Sequence, residues 1–305
     1  MWFLISIIPP ALWALTNHID KYLISGIGRT KSVSTLIVYS GLIGFPAALV
    51  IGSLNLGSLN IGFIYILMSL MAGAIYMCAL IAYFRALEWG DASQVVPLFQ
   101  LSPIISAILG FIFFEEILSI DQILGALVII IGSIGLSVEF SQIESRILFR
   151  KSIFLLMFLS SFLLALQGLL FKYVALNDVY WETSFWMYVG YFVYTLILVS
   201  FGSKIRRDFV KDLSRSTSGI VGLNITNEII AVVGNLLFNS ALLLAPMGLV
   251  YFVSEGFQPF FVLVLGILIT KFFPKLGQEN ISADHLTQKV LAITLMAVGV
   301  YLIAS

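Results

Sequence analysis

Ten apolar stretches follow one another along the chain, most of them close to the roughly 17–25 residues that a helix needs to cross about 30 Å of hydrocarbon. They fall at 2–24, 33–52, 61–87, 92–114, 121–139, 152–174, 184–201, 219–245, 247–270 and 287–304. Polar positions are confined to short connections, except at 140–151, 202–218 and 271–286, which hold most of the charge and are too short for a folded extramembrane domain. The first stretch has no basic leader and carries Asn17, His18, Asp20 and Lys21 in its second half, so it is expected to be a retained span rather than a cleaved signal. The pattern predicts an all-α integral membrane protein of ten transmembrane helices.

Aligning the first five stretches with the last five reveals an order common to both. Lys21 near the end of span one corresponds to Lys172 near the end of span six, Thr16 falls opposite Gln167, and Pro103 corresponds to Pro259. The segment "LGALVIIIG" at 124–132 matches "LAITLMAVG" at 291–299. An odd number of spans per half makes the second half enter the membrane from the opposite side, so two inverted five-helix repeats are expected, 1–145 and 146–305, forming one integrated membrane unit.

Composition sharpens this picture. With 60% hydrophobic and 10% charged residues and a mean hydropathy of +1.06, the chain lies far from the balance of soluble domains. Sixteen basic and sixteen acidic residues give zero formal charge and no basic field for nucleic acid. The single cysteine, Cys78, sits in an apolar run, so neither a disulfide framework nor a cysteine metal site can be built.

The basic residues are distributed very unevenly. Lys21, Arg29, Lys31, Arg85, Arg146, Arg150, Lys151, Lys204, Arg206, Arg207, Lys211, Arg215, Lys271, Lys275 and Lys289 all fall at or beside the odd-numbered connections, whereas Lys172 alone falls on the other side. Under the positive-inside rule the odd connections are cytoplasmic and both termini lie outside, in a plasma (inner) membrane. Glu115, Glu116, Asp121, Asp178 and Glu182 gather on the side poor in basic residues and read as solvated loop ends.

Polar side chains at membrane depth are costly, about 2.5–3.5 kcal/mol for a central Asp, Lys or Arg, and therefore turn toward protein or water. On span eight, Asn224, Glu228, Asn235 and Asn239 lie within roughly 60° of one another at 100° per residue, with Asn227 bordering the stripe. Span nine adds Ser254 and Gln258 on one face, with Glu255 beside them and Pro259 following, where the missing backbone donor frees a carbonyl. Span one offers Trp13, Asn17 and Lys21, as well as Thr16 and Asp20 at helical spacing, and span four offers Gln100. Candidate substrate contacts are thus Trp13, Asn17, Gln100, Asn224, Asn235, Asn239, Ser254 and Gln258. Candidate coupling or charge-bearing groups are Lys21, Lys172, Glu228 and Glu255, the two glutamates being the candidates for exchanging protons as their access changes. His18 reads as a hydrogen-bonded structural histidine, and His285 lies too far away in the sequence to complete a metal set, so no metal site is expected. Gly125 and Gly132, matched by Ala292 and Gly299, offer small surfaces for helix packing within the chain or for a dimer.

The segments "ALWALTNHIDKYL" at 11–23, "YFRALEWGDAS" at 83–93, "SPIISAILGFIFFEEILS" at 102–119 and "GALVIIIGSIGL" at 125–136 resemble the drug/metabolite transporter superfamily, in particular its ten-span EamA-type members. The resemblance implies secondary transport or export of metabolites through a central cavity built from both halves, with the fifth and tenth spans at the periphery and no ATP site. No G-x-x-x-x-G-K-[ST] loop occurs in the sequence. Two departures stand out. The glutamates before span five have no counterpart at 269–277, "ITKFFPKLG", and many members of the family keep their termini in the cytoplasm.

These features predict a secondary transporter, exporting or exchanging a small polar metabolite by alternating access, coupled in one version to protons. No cofactor, no enzyme chemistry and no nucleic-acid partner are expected; the partners are a small-molecule substrate, protons, the bilayer and, if the chain is not a monomer, a second copy in a homodimer. The alternatives are a flippase for a lipid-linked solute, an intramembrane enzyme using Glu228, Glu255 or His18, and a nontransporting membrane subunit.

Overall fold

The computed structural model describes residues 1–24, 32–54, 59–89, 95–137, 151–177, 179–272 and 283–304. Gln94, Arg29, Lys31, Arg146, Arg150, Asp178 and Lys275 lie outside the described residues, as do the side chains of Lys21 and His285. Everything regular among the described residues is helical. The helices are α1 (Trp2–Ile24), α2 (Val33–Leu42), α3 (Gly44–Leu54), α4 (Phe63–Trp89), α5 (Leu101–Phe114), α6 (Ile120–Ser137), α7 (Lys151–Ala175), α8 (Tyr180–Phe201), α9 (Ser203–Arg215), α10 (Ser218–Leu242), α11 (Met247–Phe272) and α12 (Ala283–Ala304). A 3-10 turn, Val96–Gln100, leads into α5.

Among the described residues, seven spans are long and apolar enough to cross a membrane, α2 and α3 together counting as one, and three shorter apolar segments accompany them, Leu98–Phe114, Ile120–Ile134 and Lys289–Ile303. Their positions follow the apolar stretches of the sequence closely, with two local differences. The second stretch is broken at Ile43 into α2 and α3, because Pro46 has no N–H to bond the Leu42 carbonyl four residues earlier. The connection 202–218, expected as polar loop, contains the 13-residue helix α9. Ile205, Phe209 and Leu213 repeat every four residues along it, while Lys204, Arg206, Arg207, Lys211 and Arg215 are exposed. Phe209 packs edge-on to Tyr39 with ring centroids 5.6 Å apart, and Thr35 Oγ1 donates to Asp212 at 2.7 Å, which seats α9 on the start of α2.

Helices of the first half pack chiefly on helices of the second. α1 lies against α10 and α11, α4 against α7 and α8, α5 against α7 and α11, and α6 against α12. The last pair shows why small residues recur there. A Cβ added to Gly125 would sit 2.6 Å from the Gly299 carbonyl oxygen, and one on Gly132 would sit 2.8 Å from that of Ala292. These residues are used for close packing within the chain. Large apolar side chains such as Phe45, Leu49, Ile108, Phe111, Leu291 and Leu295 point outward, as expected where the surrounding solvent is lipid.

Candidate functional site

Prolines inside α1 and α11 explain several polar contacts at the centre. Pro10 cannot donate to the Ser6 carbonyl four residues before it, and that oxygen instead accepts the Ser254 hydroxyl at 2.9 Å. Pro259 likewise leaves the Glu255 carbonyl without its helical donor, and Gln100 Nε2 supplies one at 3.2 Å while also reaching Ser133 Oγ at 2.7 Å. Gln100 and Ser254, both expected to contact substrate, are therefore buried ties between helices. Asn224 does not line the cavity either, and its Nδ2 donates back to the Ile220 carbonyl at 2.8 Å.

The remaining polar stripe does open onto a central cavity of about 160 Å³, room for on the order of ten water molecules. α1 contributes Trp13, Thr16, Asn17 and Asp20, α2 contributes Ser40, and α10 contributes Asn227, Glu228, Asn235 and Asn239. α11 supplies Tyr251, Glu255 and Gln258, and aromatic walls come from Tyr76, Tyr83, Phe99, Tyr191 and Phe238. Of the expected site residues, Trp13, Asn17, Glu228, Asn235, Asn239, Glu255 and Gln258 thus meet in one place. Asp20 and Asn227 join them as principal members; helical spacing from Thr16 for the one, and the edge of the span-eight stripe for the other, were their signals.

α1 and α10 run antiparallel in a definite register. Trp13 Nε1 donates to Asn235 Oδ1 at 3.2 Å, and two turns further along Asn227 Nδ2 donates to Asp20 Oδ1 at 2.7 Å. A side chain on Gly234 would collide with the Trp13 indole, its Cβ 2.8 Å from Nε1, so glycine is what lets the ring lie flat on α10. Asn235 passes the contact on to the Tyr76 hydroxyl at 3.2 Å, and Tyr76 stacks on Tyr191 with centroids 4.7 Å apart and planes 4° from parallel.

Three carboxyl groups, Asp20, Glu228 and Glu255, face this cavity, and no Lys, Arg or His is found among its described lining residues. Asp20 accepts from Asn227, and Glu228 Oε1 accepts from Ser40 Oγ at 2.8 Å; both donors are neutral. Glu255 is 8% exposed, and its carboxylate has neither a hydrogen-bond partner nor an ion pair among the described residues. The cavity is consequently acidic and lined with ring faces, which attract cations.

Lys172 lies elsewhere. Its Nζ pairs with Glu116 Oε1 at 2.5 Å and donates to the Ala245 carbonyl at 2.8 Å, while Glu116 Oε2 accepts the Met247 N–H at 2.6 Å. The Phe114 ring lies 5.4 Å from the ammonium. The expectation that Glu116 is a solvated loop end is corrected: its side chain is 13% exposed and ion-paired. The turn that aims it depends on Glu115, which takes a left-handed conformation with φ 55°, and on the Glu116 N–H, which bonds the Gly110 carbonyl at 3.2 Å. This cluster joins the α5–α6 connection to the end of α7 and to the α10–α11 connection. His18 Nε2 makes a 2.9 Å hydrogen bond with the Val262 carbonyl, a helix tie as expected.

The fold is thus a bundle of long apolar helices around a polar, acidic cavity. Residues 1–138 match the EamA-like transporter family, a stretch that includes every segment quoted above for the resemblance. A Sinorhizobium sp. protein described as an uncharacterized transporter in the cobO 3' region is 45% identical over 58 residues, which is 19% of this chain and 41% of that relative. One solved crystal structure superposes with a TM-score of 0.65 over 99% of this chain and 96% of its own, at 15% identity, so the two share a fold.

Proposed function

We propose that the chain is a ten-span secondary carrier of two inverted five-helix repeats, 1–145 and 146–305, that exports or exchanges a small polar metabolite bearing an amine. The observation that carries this reading is the unpartnered carboxylate of Glu255 in a cavity with two further carboxyl groups and no described basic side chain. An uncompensated carboxylate at such depth costs several kcal/mol, which a bound cation offsets. Trp13, Phe238 and Tyr251 supply ring faces for the same ammonium group or for an attached apolar part, and Asn235, Asn239 and Gln258 supply neutral hydrogen bonds. A multiply anionic substrate would meet repulsion from three carboxyl groups and is thereby disfavoured.

Alternating access needs substrate to bind the two facing states differently, with no covalent step. In this reading the Glu116–Lys172 cluster holds the side of the even-numbered connections closed, and the basic odd-numbered side is cytoplasmic in a plasma membrane. The test is metabolite counterflow in proteoliposomes, with amines paired against their amine-free analogues, with and without an imposed pH gradient. Selective exchange of amines that Glu255→Gln abolishes is the expected result. A pH gradient that accelerates exchange in wild type but not in Glu228→Gln would assign proton coupling to that residue. Preferential exchange of anions, or no exchange by well-folded protein, would overturn the reading.

A further inference from the structure

Asp20, Ser40, Asn227 and Glu228 come from three helices, α1, α2 and α10, and line the cavity together. Their hydrogen bonds, Asn227 Nδ2 to Asp20 and Ser40 Oγ to Glu228, hold both carboxyl groups with neutral donors only. Four buried side-chain polar atoms lack a partner among the described residues, Gln100 Oε1, Ser102 Oγ, Thr195 Oγ1 and Asn227 Oδ1. Of these, only Asn227 belongs to a residue that lines the cavity. Asn227 is 4% exposed, and its amide is fixed by the bond to Asp20, which leaves a desolvated carbonyl oxygen beside two carboxylates.

An oxygen acceptor with no donor among the described residues, whose amide holds one carboxyl group and whose chain neighbour carries another, makes a set of hard oxygen ligands short of a positive charge. We infer that this part of the cavity is a sodium site, with Asp20, Asn227 Oδ1 and Glu228 as its oxygen ligands and Ser40 as the group that orients Glu228. The donors select the class of ion. No His or Cys is found among the described lining residues, so soft-ligand metals lack their donors, and two carboxylates with one amide fall short of the six to eight oxygens typical of calcium. The other titratable groups lining the cavity are Tyr76 and Tyr83 on α4, Tyr191 on α8, and Tyr251 and Glu255 on α11. The site is distinct from the ring-lined part at Trp13 and Tyr251; seven residues of α1 separate Asp20 from Trp13, about 10 Å of helix.

The inference deepens the transport reading, as the place of a coupling ion, but its measurement needs no substrate. Purified chain in nanodiscs is melted in sodium, potassium or N-methylglucamine chloride at constant ionic strength and at two pH values, and radioactive sodium binding is measured by equilibrium dialysis. Sodium alone should raise Tm, in proportion to the logarithm of its concentration above half-saturation, with about one ion bound per chain. Asp20→Asn and Asn227→Leu should abolish both effects. Ser40→Ala, a milder change, should weaken sodium binding by about tenfold while leaving the fold intact. Identical melting in all three salts, a sodium effect that survives in Asn227→Leu, or stabilisation by acid pH alone would overturn the site. A carrier whose amine exchange is unaffected by sodium would still contradict only the coupling role, and sodium binding without any exchange would contradict only the carrier.

Discussion

Buried carboxylates occur in two regions of this molecule and are treated in opposite ways. At the Glu116–Lys172 cluster every charge is answered: Glu116 takes an ammonium and a backbone N–H, and Lys172 takes a carboxylate and a carbonyl. In the cavity three carboxyl groups share two neutral donors. Equal burial with unequal compensation separates a charge that closes a structure from a charge that awaits a ligand. The first kind makes the folded state cohere; the second makes it incomplete without its cation.

The largest effect that tests this contrast is Lys172→Met, which leaves Glu116 buried and alone. It should lower stability by about 3–5 kcal/mol, seen as a fall in Tm of the detergent-solubilised protein. Adding Glu116→Gln to that variant should recover part of the loss, because the orphaned charge is then gone; a double variant as unstable as the sum of its singles would show that the pair is not a unit. Next comes Glu255→Gln, for which the contrast predicts the opposite pattern. Amine exchange should fall by more than about tenfold, ~1.4 kcal/mol, with Tm unchanged or raised; a Tm loss comparable to that of Lys172→Met would erase the distinction between the two regions. The smallest effect is expected of Trp13→Phe, which keeps a ring face but removes the bond to Asn235, at about 0.5–1.5 kcal/mol in stability. Substrate affinity in that variant should change less than in Glu255→Gln.

Much of this was legible in one sequence. The apolar stretches anticipate the helices to within a few residues, and the stripe of span eight puts Glu228, Asn235 and Asn239 on the cavity side. Helical spacing fails where the neighbour decides. Asn224 belongs to the same stripe by angle, yet sits one turn from the helix start and bonds its own backbone. Gln100 and Ser254 looked like cavity residues because they are polar and near prolines; the prolines do matter, but as the source of the free carbonyls these side chains satisfy. Lys172 finds its partner in a turn 56 residues away in the chain, a contact set by a left-handed residue at Glu115 that no periodicity encodes. Asp20 was visible as a polar residue at depth, but its importance depends on Asn227, which lies 207 positions away.

The antiparallel register of α1 and α10 has an optical consequence. Trp13–Asn235 and Asp20–Asn227 are rungs of the same two-helix ladder, two turns apart, so a rotation or slide of α1 that breaks one rung must strain the other. The indole that forms one rung is a fluorophore, and its emission is sensitive to losing a hydrogen bond and gaining water. Once the other four tryptophans are replaced, Trp13 supplies a light signal from within the cavity, about 10 Å along α1 from Asp20, which reports without any attached label when the two helices part.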